Sequence, residues 1–117
     1  MIRTILLHVL AALTLLTIGF AAPVPALAQD TARGQQVYQE YCAACHAPEN
    51  IMVSSPKLNN TAQWSLRLEP GLDHVIGRAM TGFGAMPAKG LCEDCSVDDI
   101  EAAIRYMAAP ALETSDN

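Results

Sequence analysis

Residues 42 to 46 read Cys-Ala-Ala-Cys-His, placing two thiols two residues apart with an imidazole directly after the second. That C-x-x-C-H spacing suits covalent attachment of a haem. Each thiol can add to one vinyl group of the same porphyrin, and His46 can then ligate the iron through Nε2. A second pair, Cys92 and Cys95, is followed by Ser96 instead of histidine, which argues against a second haem. Two other readings use the same residues. The four cysteines together could make a tetrahedral zinc site. Either pair could instead be a redox dithiol or a structural disulfide, although the dithiol ordinarily sits in a βαβ setting not evident in this chain.

An iron that passes electrons and binds no small molecule needs a sixth ligand. Besides Met1 the candidates are Met52, Met80, Met86 and Met107. Met80 and Met107 fall on apolar helical faces, where flexible core filler is the better reading. Met52 lies in a loop without a rigid flank. Met86 stands in Gly82-Phe83-Gly84-Ala85-Met86-Pro87, where glycines permit close approach and Pro87 fixes the local backbone. It is the preferred ligand. His74, beside Asp73 on a helical stretch, reads as a solvated histidine.

Short helices must position these groups. After Asp30 or Thr31 as N-cap, the run from Ala32 to Tyr41 predicts a helix that leads into Cys42. Pro48 to Asn60 is loop-like, punctuated by Pro48, Asn50, Ser54, Ser55, Pro56, Asn59 and Asn60. Thr61 to Leu68 and Leu72 to Thr81 predict two more helices, separated by Pro70-Gly71. Ser96 with Asp99 three residues on has the pattern of a capping box. Ile100, Ala103, Ile104 and Met107 give the last helix its buried stripe, and Pro110 is expected to end it. The tail from Glu113 to Asn117 is polar and expected to fray. No stretch favours strands, so the expected class is all-α.

Ahead of this lies a segment with the pattern of an export leader. Arg3 supplies a positive start, Ile5 to Ala22 an apolar run, and Ala26-Leu27-Ala28 a small-residue cleavage site. Residues 1–28 are therefore expected to be a cleaved signal peptide, with an uncleaved membrane anchor as the alternative. Residues 29–117 then form one small domain, ordered over about 30–110, whose apolar core would be marginal unless a haem filled it. Export also suits four cysteines held oxidised or linked to haem, and it places the protein in the periplasm. Loss of Arg3 with the leader leaves 6 basic against 12 acidic residues. That balance argues against nucleic acid and anionic membrane as partners and favours encounters with basic patches on other proteins.

Gly34, Tyr38, the Cys42 to His46 motif, Pro56-Lys57-Leu58, Ala85-Met86-Pro87 and Ile104-Arg105-Tyr106-Met107 resemble a class I c-type cytochrome. Met86-Pro87-Ala88-Lys89-Gly90 followed by Cys92-x-x-Cys95-Ser96 is similar, more narrowly, to the cytochrome c5 family. The likeness covers nearly all of the chain after the leader. One departure is Ala47, where that family usually has glycine. The resemblance implies about four short helices around one covalent haem c, with His46 and Met86 as axial ligands. It implies that the Pro56 carbonyl orients His46, and that Trp64 and Arg67 face the haem propionates; a plain packing role for Trp64 stays open. It implies that Tyr106 crosses Gly34 and Tyr38, and that Cys92 and Cys95 form a disulfide. The implied function is a periplasmic monohaem electron carrier, not an enzyme, that docks transiently on redox proteins. Any membrane contact would come through a partner complex or an uncleaved leader. Alternatives are a haem c subunit of a multi-chain oxidase or dehydrogenase, and a haem-based ligand binder or sensor.

Overall fold

The computed structural model describes residues 25–115, so nearly all of the expected leader lies outside the described residues. Four helices of two turns or more make the body: α1 (Ala26–Val37), α3 (Thr61–Leu68), α4 (Leu72–Thr81) and α5 (Val97–Ser115). A single turn, α2 (Ala43–His46), carries the end of the cysteine motif. Among the described residues there is no strand, only an isolated bridge between Phe83 and Met86. The all-α expectation holds.

α1 crosses α5 at its one small residue. A Cβ on Gly34 would overlap the backbone carbonyl of Ala102 and stand 3.2 Å from the Tyr106 Cβ. One turn further along, the Tyr38 and Tyr106 rings pack at 5.5 Å between centroids. Glycine at this position lets two helix backbones touch, and the tyrosines then close over the contact. Val37, Ile100, Ala103, Ile104, Met107, Ala108 and Ala111 are buried around it, with Trp64 of α3 and Ile76 and Ala79 of α4 completing the core.

The capping box at the start of α5 is fully formed. The Asp99 N–H donates to Ser96 Oγ at 3.1 Å, and the Ser96 N–H donates to Asp99 Oδ2 at 2.9 Å. Arg33 of α1 donates to the other carboxylate oxygen at 2.6 Å, so the cap is also a tie between the two crossing helices. The guanidinium and these donors hold the Asp99 carboxyl far below the usual carboxylate range. α3 is capped by Asn60, whose side chain accepts the Gln63 N–H at 3.0 Å.

Three expectations need correction. α1 begins at Ala26, after Pro25, and not at Asp30 or Thr31; the Thr31 hydroxyl donates back to the Leu27 carbonyl at 2.9 Å inside the helix. A cut after Ala28 would remove only three exposed residues of it. Pro110 does not end α5, which runs on to Ser115. The missing N–H is outweighed because Ala108 and Ala111 remain buried, so tertiary packing overrides a local penalty of about 3 kcal/mol. Consequently Glu113 to Ser115 are helical and not a frayed tail.

Candidate haem site

Between α1 and α2 the chain winds one wider turn, a π-helical segment at Tyr38–Cys42. The extra residue shifts the register of everything after it, which sets where Cys42 and His46 point relative to α1. Such turns inside α-helices recur at functional sites. Cys42 is buried and Cys45 half-buried, and both are unpaired thiols. Burial, with a smaller contribution from Cys45, pushes the Cys42 thiol up to about 11.

His46 is only 6% exposed. Its Nδ1 lies 2.7 Å from the carbonyl oxygen of Pro56. A carbonyl can only accept, so Nδ1 carries the hydrogen and, in the neutral ring, Nε2 keeps the lone pair. Burial lowers the pKa of this ring, the Pro56 carbonyl opposes that effect, and the charge of Lys57 adds to the lowering. The ring is thus neutral, oriented and equipped to ligate. Trp64 stacks alongside, its centroid 6.2 Å from that of His46 with 18° between planes.

The segment beneath the histidine is strapped to the motif at several points. The Leu58 N–H donates to the His46 carbonyl at 2.8 Å, and the Ser55 hydroxyl donates to the Cys45 carbonyl at 2.6 Å. Lys57 Nζ donates to the same Cys45 carbonyl at 2.8 Å and to that of Val53 at 2.9 Å. Asn59 then ties the loop to α5, its N–H donating to the Met107 carbonyl at 2.8 Å. The Ser55 and Lys57 straps and the π-turn are the features that sequence reasoning missed. Lys57 stood inside a quoted motif, but nothing in its identity said where a flexible ammonium would settle.

Met86 sits at the foot of a tight reversal. Phe83 and Met86 exchange two backbone hydrogen bonds of 3.0 Å each. Gly82, at φ +86, begins the reversal, and a Cβ there would come within 3.0 Å of the Ala88 nitrogen and the Met86 oxygen. This position therefore needs glycine twice over, for its backbone angle and for space. Arg78 lies 4.0 Å above the Phe83 ring and pins the turn to α4. Met107 is buried in α5 and Met52 is exposed, whereas Met80 on α4 and Met86 on the turn both pack against the core; of these, Met86 is the one on a constrained loop.

The turn after Met86 meets the motif directly, since a Cβ on Gly90 would lie 3.3 Å from the Tyr41 carbonyl oxygen. Cys92 and Cys95 form a disulfide and are 4% and 2% exposed. Lys89 Nζ donates to the carbonyl of Cys95 at 2.7 Å and to that of Glu93 at 3.2 Å, holding the loop in place. A disulfide cannot ligate zinc as thiolates. With Cys92 and Cys95 joined, the four-cysteine zinc reading loses two of its four ligands.

Trp64, expected at the haem propionates or in a plain packing role, is buried, and its indole N–H donates to the Lys57 carbonyl at 2.9 Å. That bond ties α3 to the strap, as the packing role would have it. Arg67 lines a cleft of about 500 Å³ with Lys57, Gln63, Leu66, Ile51 and Met52. The exposed His74 stays on the outer side of α4.

The donor set fits a haem c: two unpaired thiols at the right spacing, an oriented imidazole with a free Nε2, and a thioether on a stiff turn. The family model described as cytochrome c oxidase, cbb3-type, subunit III, matches residues 29–107. The chain is 39% identical over 77 residues to cytochrome c5 of Azotobacter vinelandii, covering 64% of this chain and 90% of that protein. It is 38% identical over 74 residues to cytochrome c5 of Ectopseudomonas mendocina, covering 62% and 83%. To cytochrome c6 of a Picosynechococcus strain it is 36% identical over 105 residues, covering 83% and 90%. Matched along most of its own length and theirs, and carrying the C-x-x-C-H motif, the chain belongs to the class I c-type cytochromes, which carry haem c.

Proposed function

We propose that the chain is a periplasmic carrier with one haem c, joined through Cys42 and Cys45 and ligated by His46 and Met86. The observation that carries this reading is the pair of unpaired thiols beside a buried histidine whose Nδ1–H is committed to the Pro56 carbonyl. When bound, the haem supplies an iron that cycles between ferric and ferrous states, at a potential that neutral Met/His ligation raises. The chain's own residues do the rest. The Pro56 carbonyl fixes the tautomer of His46, Trp64 and the core limit water around it, and the Gly82 to Pro87 turn holds the Met86 sulfur without a flexible backbone behind it.

Three exposed large side chains adjoin parts of this machinery. Tyr41, 40% exposed, adjoins Cys42; Leu91, 72% exposed, follows the glycine that touches Tyr41; and Phe83, 58% exposed, pairs with Met86. We take this as the docking face for transient redox partners, which are expected to present basic groups to a chain of formal charge −5. Export rests on the leader-like residues 1–28. Among the described residues no helix is long and apolar enough to cross a membrane.

A low-spin iron held by two protein ligands has no vacancy. The reduced protein should therefore bind carbon monoxide weakly at neutral pH. Met86→Ala should admit carbon monoxide and abolish the sulfur-to-iron charge-transfer band, while Met107→Ala should cost only packing stability, about 2–5 kcal/mol. Ready carbon monoxide binding by the unaltered protein would move the sensor reading ahead. The description of the matched family model keeps a second reading in view, a haem c subunit of a multi-chain oxidase. Co-purification with catalytic subunits in fixed stoichiometry would favour it.

A further inference from the structure

Lys57 is one of two lysines in the chain, and its ammonium sits where a charge has leverage. It is part-buried and donates to the carbonyls of Cys45 and Val53 and to Ser55 Oγ at 2.8, 2.9 and 3.0 Å. All three partners are neutral. The two ion pairs among the described residues join Arg33 to Asp99 and Arg105 to Glu101, so neither cancels the charge on Lys57. Cys45 is the residue before His46, and the neighbouring Pro56 and Leu58 hold the His46 ring and carbonyl. A long side chain that ordinarily trails in water is here fixed against the turn that bears the attachment cysteine and the ligand histidine.

We propose that Lys57 is a potential-setting positioning residue, whose fixed positive charge under the ligand turn favours the ferrous over the ferric haem while its three hydrogen bonds hold the strap that carries Pro56. The proposal rests on the reading of His46 as an iron ligand. Ferric haem carries one positive charge more than ferrous haem, so a nearby uncompensated cation destabilises the oxidised form more. Part-burial keeps that repulsion from being screened as it would be at a free surface. Hydrogen bonding alone, without charge, would steady the loop and leave the redox balance nearly where it was.

The test compares the haem-loaded protein with Lys57→Gln, Lys57→Met and Lys57→Arg. It reads the one-electron exchange equilibrium with a small mediator of known potential, together with the visible spectrum and thermal unfolding. Both neutral variants should shift the equilibrium roughly three- to tenfold toward ferric haem, tenfold corresponding to 59 mV for one electron. Lys57→Arg, which keeps charge and donors, should stay within about twofold of the unaltered protein. Neutral variants with an intact low-spin spectrum and an unmoved equilibrium would overturn the proposal. So would an Arg variant displaced as far as Gln, or failure of both neutral variants to retain haem, since Lys57 would then be a residue of the fold only. Should the unaltered protein itself lack covalent haem, it is the carrier reading that fails, and the comparison of variants never enters.

Discussion

Gly34→Ala sets a known helix preference against a close interhelical contact. Alanine is worth about 0.5–1 kcal/mol over glycine inside a helix, so propensity alone predicts a more stable protein. The new methyl, however, would overlap the Ala102 carbonyl and approach the Tyr106 Cβ at 3.2 Å. A backbone carbonyl cannot rotate aside as a side chain can, so α1 has to back away from α5. A gap of about 1 Å already forfeits up to half of each dispersion contact along the crossing, and overpacking in a tight core costs about 1–3 kcal/mol. Allowing for the helix gain, the net change is about 1 kcal/mol of destabilisation. For a domain of this size that lowers the melting temperature by roughly 4–8 °C. Gly77→Ala is the matched control, because a Cβ there would meet nothing within 4 Å. It should stabilise by about 0.5–1 kcal/mol. Thermal and urea unfolding of the haem-loaded proteins, followed by far-ultraviolet circular dichroism, would read both. Equal signs for the two substitutions would refute the argument that the α1–α5 approach is what requires glycine at position 34.

Other outcomes follow from single contacts. Asp99→Ala removes the capping box and the tie to Arg33, and should cost about 1–2 kcal/mol at pH 7 by urea unfolding. Because the folded Asp99 pKa lies below its unfolded value, that stability is present above the ordinary carboxylate range and is lost as pH falls through the folded value. The gap between unaltered and variant protein should therefore narrow below about pH 4. Trp64→Phe keeps an aromatic ring beside His46 but removes one of the two donors to the Lys57 carbonyl, leaving the Asn60 N–H, and should lower stability by about 0.5–1.5 kcal/mol without removing covalent haem, read by denaturation and by the spectrum. Replacing Cys92 and Cys95 with serine should cost about 2 kcal/mol from the short closed loop and leave the redox potential in place; a displaced potential would give the disulfide a redox role.

Much of the fold was legible because local and long-range signals agreed. Gly34 and Tyr38 against Tyr106 came through the family resemblance, while the Ser96–Asp99 box and the breaks at Gly71 and Gly82 depend on residue types whose geometry has few alternatives. The π-turn was not legible, since Tyr38 to Cys42 contains nothing that forbids an ordinary α-turn and only tertiary packing selects the wider one. Pro110 misled for the same reason in reverse: the local rule was sound, but burial on both sides of it kept the helix going. At the site, the motif spacing announced two thiols and an imidazole. The roles of Ser55 and Lys57 depend on where a loop folds back, which a linear pattern does not encode. The residue type of Trp64 does not say which acceptor its N–H finds, and the fold supplies the Lys57 carbonyl.

The central claim is that Cys42 and Cys45 carry one haem covalently. Mass measurement of the exported protein after denaturation and acidified organic extraction tests it most directly. The account predicts a chain heavier by one haem, with the added mass confined to a peptide spanning Cys42 to His46 and with Cys92 and Cys95 appearing as thiols only after reduction. Haem that leaves with the organic solvent, or a haem-free chain with Cys42 and Cys45 joined to each other, would contradict it.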